Sequence, residues 1–168
     1  RTETALHDWA VVAAGALYIG WLGAHAVLLR ELDDGREWVL LAFGVVFATD
    51  TGAYFIGRAF GRRKMAPRVS PGKTWAGGVG GFACGAIVAA VLNFAFGLDA
   101  PPWEIAGLAI IVPVTAEIGD LAESVLKRSM HVKDMGKVMP GHGGIVDRLD
   151  SLLFAIPVLY YWVRWVIQ

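Results

Sequence analysis

The sequence predicts an all-α fold, a polytopic transmembrane helix bundle, and three observations carry that prediction. Of its 168 residues 56% are hydrophobic, the mean hydropathy is +0.53 and only 18% are charged, where a soluble domain carries about 25%. The apolar residues gather into five runs, each near the roughly 20 residues a helix needs to cross a bilayer. Within those runs hydrophobicity is continuous, without the period-two alternation of a membrane barrel strand.

In chain order the predicted spans are roughly Trp9–Leu29, Trp38–Gly57, Trp75–Leu98, Trp103–Gly119 and Ser151–Ile167. Trp opens four of them, and Trp and Tyr close the last, as expected of anchors at the membrane–water interface. Between the second and third spans lie Arg58, Arg62, Arg63, Lys64, Arg68 and Lys73 with no acid among them. Lys127, Arg128, Lys133, Lys137 and Arg148 lie between the fourth and fifth, whereas Arg30–Glu37 sets two Arg against four acids. The positive-inside rule puts both basic loops in the cytosol and the C-terminus outside.

The bulk numbers also exclude. Net charge is +0, so no global field points to nucleic acid. A single cysteine, Cys84, rules out an intrachain disulfide framework and a multi-cysteine metal site; in its apolar run it reads as a small core residue. His7 and His25 stand alone and receive no role. The chain opens on Arg1 without a signal-peptide pattern. Residues 1–168 are read as one transmembrane catalytic domain, a fragment whose upstream helices are missing.

The stretch Glu117–Asp150 decides the functional reading. Its first half has helical character, and Glu117, Asp120, Ser124, Lys127, Arg128 and His131 fall within one sector of such a helix. Gly136, Pro140, Gly141, Gly143 and Gly144 break the second half; such a loop can turn backbone N–H groups toward an anion. The chain then returns with Asp147, Arg148 and Asp150. Carboxylates on separate segments, with cations beside them and a glycine-rich connection, suit a metal-held polyphosphate. The bland reading is a hydrated loop with a surface charge stripe.

Two further stretches bear on that site. Asp50 lies inside the second span, where a carboxylate costs ~2.5–3.5 kcal/mol on insertion scales unless partnered or wet. It shares a helical face with Tyr54 and Gly57 and reads as a polar cavity wall, or else as a packing carboxylate bonded to a neighbouring helix. Gly72-Lys73-Thr74 resembles the end of a P-loop, but Pro67 stands where the first glycine belongs and no strand precedes it. Lys73 and Thr74 instead precede a helix start, which can hold phosphate oxygens; the alternative is an interfacial turn whose Lys meets head groups. Gly77, Gly81, Gly85 and Ala89 recur every four residues and allow a close helix approach, within one subunit or across a dimer. Pro113 and Pro157 are expected to kink the last two spans.

Ser124-x-Leu126-Lys127-Arg128, Lys133-Asp134-x-Gly136 and Pro140-x-His142-Gly143-Gly144-x-x-Asp147-Arg148-x-Asp150 together resemble the pattern of phosphatidate cytidylyltransferases, also called CDP-diacylglycerol synthases. Met135 and Met139 depart from the residues commoner there. Asp50-x-x-Ala53-Tyr54-x-x-Gly57-Arg58 and Ser70-Pro71-x-Lys73-Thr74-x-x-Gly77 resemble further elements of the same family.

The resemblance implies a reaction in which phosphatidate attacks the α-phosphorus of CTP, giving CDP-diacylglycerol and pyrophosphate. It implies Mg²⁺, with a second cation beside it, held by Asp120 and Asp147. Lys127, Arg128 and Arg148 would hold phosphate oxygens; Asp120, Lys127, Asp147 and Arg148 form the expected catalytic set. Asp50, Tyr54, Ser70, Lys73, Thr74, Ser124, Arg128, Lys133, His142, Gly143 and Gly144 form the expected substrate-binding wall, with His142 donating to a phosphate. The expected partners are CTP, phosphatidate and membrane lipid, without nucleic acid, and a homodimer. The expected place is the bacterial inner membrane, with the site facing the cytosol and opening sideways to lipid. A CTP-dependent lipid-alcohol kinase and a cation-coupled transporter are the competing readings; the kinase would need a base for a neutral hydroxyl and would transfer phosphate, and the transporter does not explain cations and a glycine-rich loop crowding one side.

Overall fold

The structure, a computed structural model, describes residues 4–98, 100–130, 132 and 146–168. Its helices are α1 (Ala5–Ala16), α2 (Leu22–Arg30), α3 (Gly35–Phe60), α4 (Trp75–Phe96), α5 (Pro102–Ser129) and α6 (Val146–Trp162). A π-helical turn at Leu17–Trp21 joins α1 to α2, and another at Val163–Ile167 ends the chain. Five of the resulting segments are long and apolar enough to cross a bilayer: Asp8–Arg30, Gly35–Phe60, Trp75–Phe96, Pro102–Ser129 and Leu149–Ile167. The fold is the expected all-α membrane bundle, and the chain is an integral membrane protein.

The helices run up and down against their neighbours. Gly44 faces Leu92 and Gly57 faces Thr74, so α3 and α4 are antiparallel. Gly85 meets Pro113 and Gly78 meets Glu117, which sets α5 antiparallel to α4; Gly119 against Phe154 and Gly107 against Trp162 do the same for α6. The small-residue stripe of α4 serves contact within the chain. A Cβ on Gly77 would lie 2.7 Å from the Ala53 carbonyl oxygen, and one on Gly81 2.9 Å from the Ala53 Cβ. Where lipid is as apolar as the side chains, such close approach is what holds two helices together.

The apolar core fills the end of the bundle where α3 begins, built on Leu41, Val45, Leu108, Val112 and Leu159. Trp38 belongs to it at 1% exposure, whereas Trp9, Trp75 and Trp103 are exposed. Trp38 is therefore a core residue, not the interfacial anchor its place at the head of a span suggested. His25 is also buried; one ring nitrogen lies 2.8 Å from the Trp21 carbonyl oxygen and the ring packs on Tyr160 and Tyr161.

The opposite end is polar and carries an element the sequence did not announce. After α3 the chain forms an antiparallel hairpin, β1 (Lys64–Ala66) and β2 (Ser70–Thr74), in register Lys64 to Thr74 and Ala66 to Ser70. Thr74 then caps α4, its Oγ1 accepting the Gly77 N–H at 3.1 Å. The fourth predicted span and the charged stripe beyond it are one continuous helix, α5, with Pro113 buried inside it.

Candidate functional site

The hairpin, the end of α3, the start of α4 and the second half of α5 enclose a cavity of about 580 Å³. From α3 it takes Asp50, Tyr54 and Arg58, and from the hairpin Lys64, Ser70, Lys73 and Thr74. Gly77 and Gly78 of α4 form its floor, and Glu117 and Asp120 of α5 its far wall. Five of these, Asp50, Tyr54, Ser70, Lys73 and Thr74, are residues the sequence assigned to substrate binding, and Asp120 is an expected metal ligand. Three segments distant in the chain thus meet at one cavity.

The central contact joins the hairpin to α5. Lys73 Nζ lies 2.8 Å from Asp120 Oδ2 and donates to the Glu117 carbonyl oxygen at 3.3 Å. Both side chains remain partly exposed, 19% and 34%, so the pair can exchange partners when a charged ligand arrives. The Glu117 carboxylate fits here because Gly78 has no side chain: a Cβ there would be 3.2 Å from Glu117 Oε2 and 2.6 Å from Met65 Cε. Glu117 Oε1 is buried and, among the described residues, has no hydrogen-bond partner. Arg128, about two turns of helix beyond Asp120, donates from Nε to the Val69 carbonyl oxygen at 3.2 Å, steadying the hairpin turn.

Lys127 points elsewhere. It sits at the edge of the predicted sector, and its ammonium is drawn to Glu123 Oε2 at 2.8 Å. Glu123 is fully buried at 0% exposure and Lys127 nearly so at 15%; Tyr18 and Asp150 are their neighbours in the same polar cluster. Ser124 is half-buried and does not line the cavity. Lys133, His142, Gly143 and Gly144 lie outside the described residues. So do the side chains of Asp147 and Arg148, whose backbone opens α6.

The sequence placed Glu117 in the charged sector without a role of its own and did not single out Gly78, yet both line the cavity. The signal for Gly78 was its pairing with Gly77 at a helix start, where two adjacent glycines leave room for a partner's side chain. The acidic lining of the cavity is all carboxylate, a hard oxygen set of the kind that suits Mg²⁺ rather than a thiophilic metal. Among the described residues no three His, Cys, Asp or Glu converge on one point. The buried unpartnered oxygen of Glu117 and the single Asp120 carboxylate fit an ion that takes its remaining ligands from a phosphate chain.

Comparison with known proteins gives the same direction. The model of the Cytidylyltransferase family matches residues 1–166. A phosphatidate cytidylyltransferase of Bacillus subtilis (strain 168) is 39% identical over 151 residues, 89% of this chain and 56% of that protein. Those of Brucella suis biovar 1 (strain 1330) and Staphylococcus haemolyticus (strain JCSC1435) are each 45% identical, over 88% and 76% of this chain and 55% and 49% of theirs. The chain spans about half the length of the curated relatives it matches. A helix bundle with an acidic and basic cavity at one end, matched almost from end to end by that family, leads to one conclusion: the chain belongs to the cytidylyltransferase family.

Proposed function

We propose that this chain carries the catalytic cavity of a membrane enzyme that transfers the cytidylyl group of CTP to phosphatidate. The observation that supports it most is the meeting of Lys73 with Asp120 at the wall of an open cavity, in a chain similar to phosphatidate cytidylyltransferases. A phosphate oxygen of phosphatidate attacks the α-phosphorus of CTP, and the bond from that phosphorus to the bridging oxygen of pyrophosphate breaks. Both reactants are anions, so their approach needs fixed positive charge and charge neutralisation where pyrophosphate departs. Lys73 and Lys64 supply fixed cations on the hairpin side, and Arg128 and Arg148 extend that role in the proposal. Asp120, with Asp147, is the residue set that would hold Mg²⁺ and a second cation. A divalent ion bound there supplies neutralisation of the triphosphate. No general base is required, because the attacking phosphate is ionised at neutral pH.

Thr74 sets the α4 start on which Gly77 and Gly78 line the floor, so its part is to shape the cavity. Lys127 joins the phosphate-binding set only if it leaves Glu123. Its two candidate roles separate on the Lys127→Met variant. Facing of the hairpin end toward the cytosol, residence in the bacterial inner membrane and pairing with a second copy complete the proposal. The basic hairpin loop supports the first, and the nearly uncovered first span offers surface for the last.

The test is product analysis with doubly labelled CTP and phosphatidate, with and without Mg²⁺. Label in the cytosine ring should enter extractable lipid while the γ-phosphate leaves in pyrophosphate. Transfer of γ-phosphate alone would identify a kinase and overturn the proposal.

A further inference from the structure

One face of α3 extends past the cavity onto the outer surface of the bundle. Phe47, Thr51, Tyr54, Phe55 and Arg58 recur at helical spacing, and Phe47, Tyr54 and Phe55 are 52%, 57% and 64% exposed. Within a membrane span such exposure offers an aromatic surface to acyl chains. A second, shallower recess of about 330 Å³ lies along this face, lined by Phe47, Asp50, Thr51, Tyr54 and Phe55 alone. Asp50 and Tyr54 line both recess and cavity, so α3 is the shared wall between the lipid side and the site.

The chemistry along this face is graded. Phe47 lies near mid-span and Arg58 at its polar end, eleven residues or about 16 Å apart, close to half of a roughly 30 Å hydrocarbon core. At the polar end the Arg58 guanidinium donates from Nη1 to the Tyr54 hydroxyl at 3.0 Å. Among the described residues it has no carboxylate within ion-pair distance, although three carboxylates line the cavity beside it. A held cation, lacking an anion, above one leaflet's depth of aromatic surface is complementary to a lipid whose head is a phosphate.

We infer that this face of α3 is the acceptor-lipid subsite: Arg58, held by Tyr54, grips the phosphomonoester of phosphatidate while an acyl chain lies over Phe55 and Phe47. The inference rests on the proposed cytidylyl transfer for the identity of the lipid. Asp50, about 12 Å deeper than Arg58 along the helix, repels a phosphate that slides inward and so fixes the depth of the head group. A guanidinium grips a phosphate through two parallel N–H donors, which an ammonium cannot reproduce.

The experiment uses the complete protein in mixed micelles, varying phosphatidate mole fraction and CTP separately. Arg58→Ala should raise the KM for phosphatidate by at least about tenfold, the worth of one charged hydrogen bond, and leave the KM for CTP within about twofold. Arg58→Lys should recover part of the loss. A phosphatidate carrying a photoreactive group in its acyl chain should crosslink to residues 47–55, less so in Arg58→Ala. Should Arg58→Ala not fold, Tyr54→Phe keeps the ring and should raise the phosphatidate KM by about threefold with that for CTP unchanged. An equal rise for CTP, or crosslinks confined to other helices, overturns the inference. A wild-type protein that crosslinks at 47–55 yet transfers no cytidylyl group would instead sink the proposed function and leave the lipid subsite standing.

Discussion

Two lysine–carboxylate pairs of equal length serve different ends. Lys73–Asp120 and Lys127–Glu123 are both 2.8 Å, but the first is partly exposed and the second holds a carboxylate at 0% exposure. A buried pair broken on one side leaves an uncompensated charge. Lys127→Met should therefore cost about 3–5 kcal/mol of stability, and the double change with Glu123→Met should recover most of it; denaturant unfolding in detergent reads both. A rise in the KM for CTP without lost stability would return Lys127 to the phosphate-binding set. Asp120→Asn, at a partly exposed site, should leave unfolding nearly unchanged while lowering kcat/KM by about 10²–10³-fold, measured by label transferred to lipid. The charge types were legible in the sequence. Which lysine meets which acid was not, because Lys127 lies at the edge of the helical sector and a neighbour one turn back captured it.

At the scale of elements, the α3–α4 contact depends on absent side chains. A Cβ on Gly81 would fall 2.5 Å from the Thr49 carbonyl oxygen, a backbone atom that cannot move aside cheaply, whereas Gly15 has nothing within 4 Å. Gly81→Ala should destabilise by about 1–3 kcal/mol, and Gly15→Ala should be neutral or stabilising by up to about 1 kcal/mol, the gain in helix propensity; thermal unfolding of the two variants side by side checks the contrast. The four-residue stripe announced this contact, and the five spans were legible to within a few residues at most ends. The hairpin was not. Its first strand has three residues and its second contains Pro71 and Gly72, so neither carries a β pattern. Its ends are set by α3 stopping at Gly61 and α4 starting at Thr74. The length of α5 was legible in two parts: the apolar span ends at Gly119, and the helical sector that begins at Glu117 carries the same helix on to Ser129.

The whole molecule separates its tasks by depth. The apolar core lies toward one end, and the cavity with its lysines and carboxylates lies at the other. Gly72, in the second strand of the hairpin, is exposed with open space around it. With Cys84 replaced by Ala, Gly72→Cys should react with an impermeant maleimide only from the cytosolic side; labelling from outside would reverse the topology. The central claim is that Lys73 and Asp120, far apart in the chain, act as one unit on a polyphosphate. A double-mutant cycle on cytidylyl transfer, using Lys73→Met and Asp120→Asn, tests it most directly. Joint action predicts that each single change costs about 10²-fold or more and that the double change costs little beyond the worse single one. Losses that simply multiply, or a Lys73→Met enzyme with unaltered kcat/KM, would contradict it.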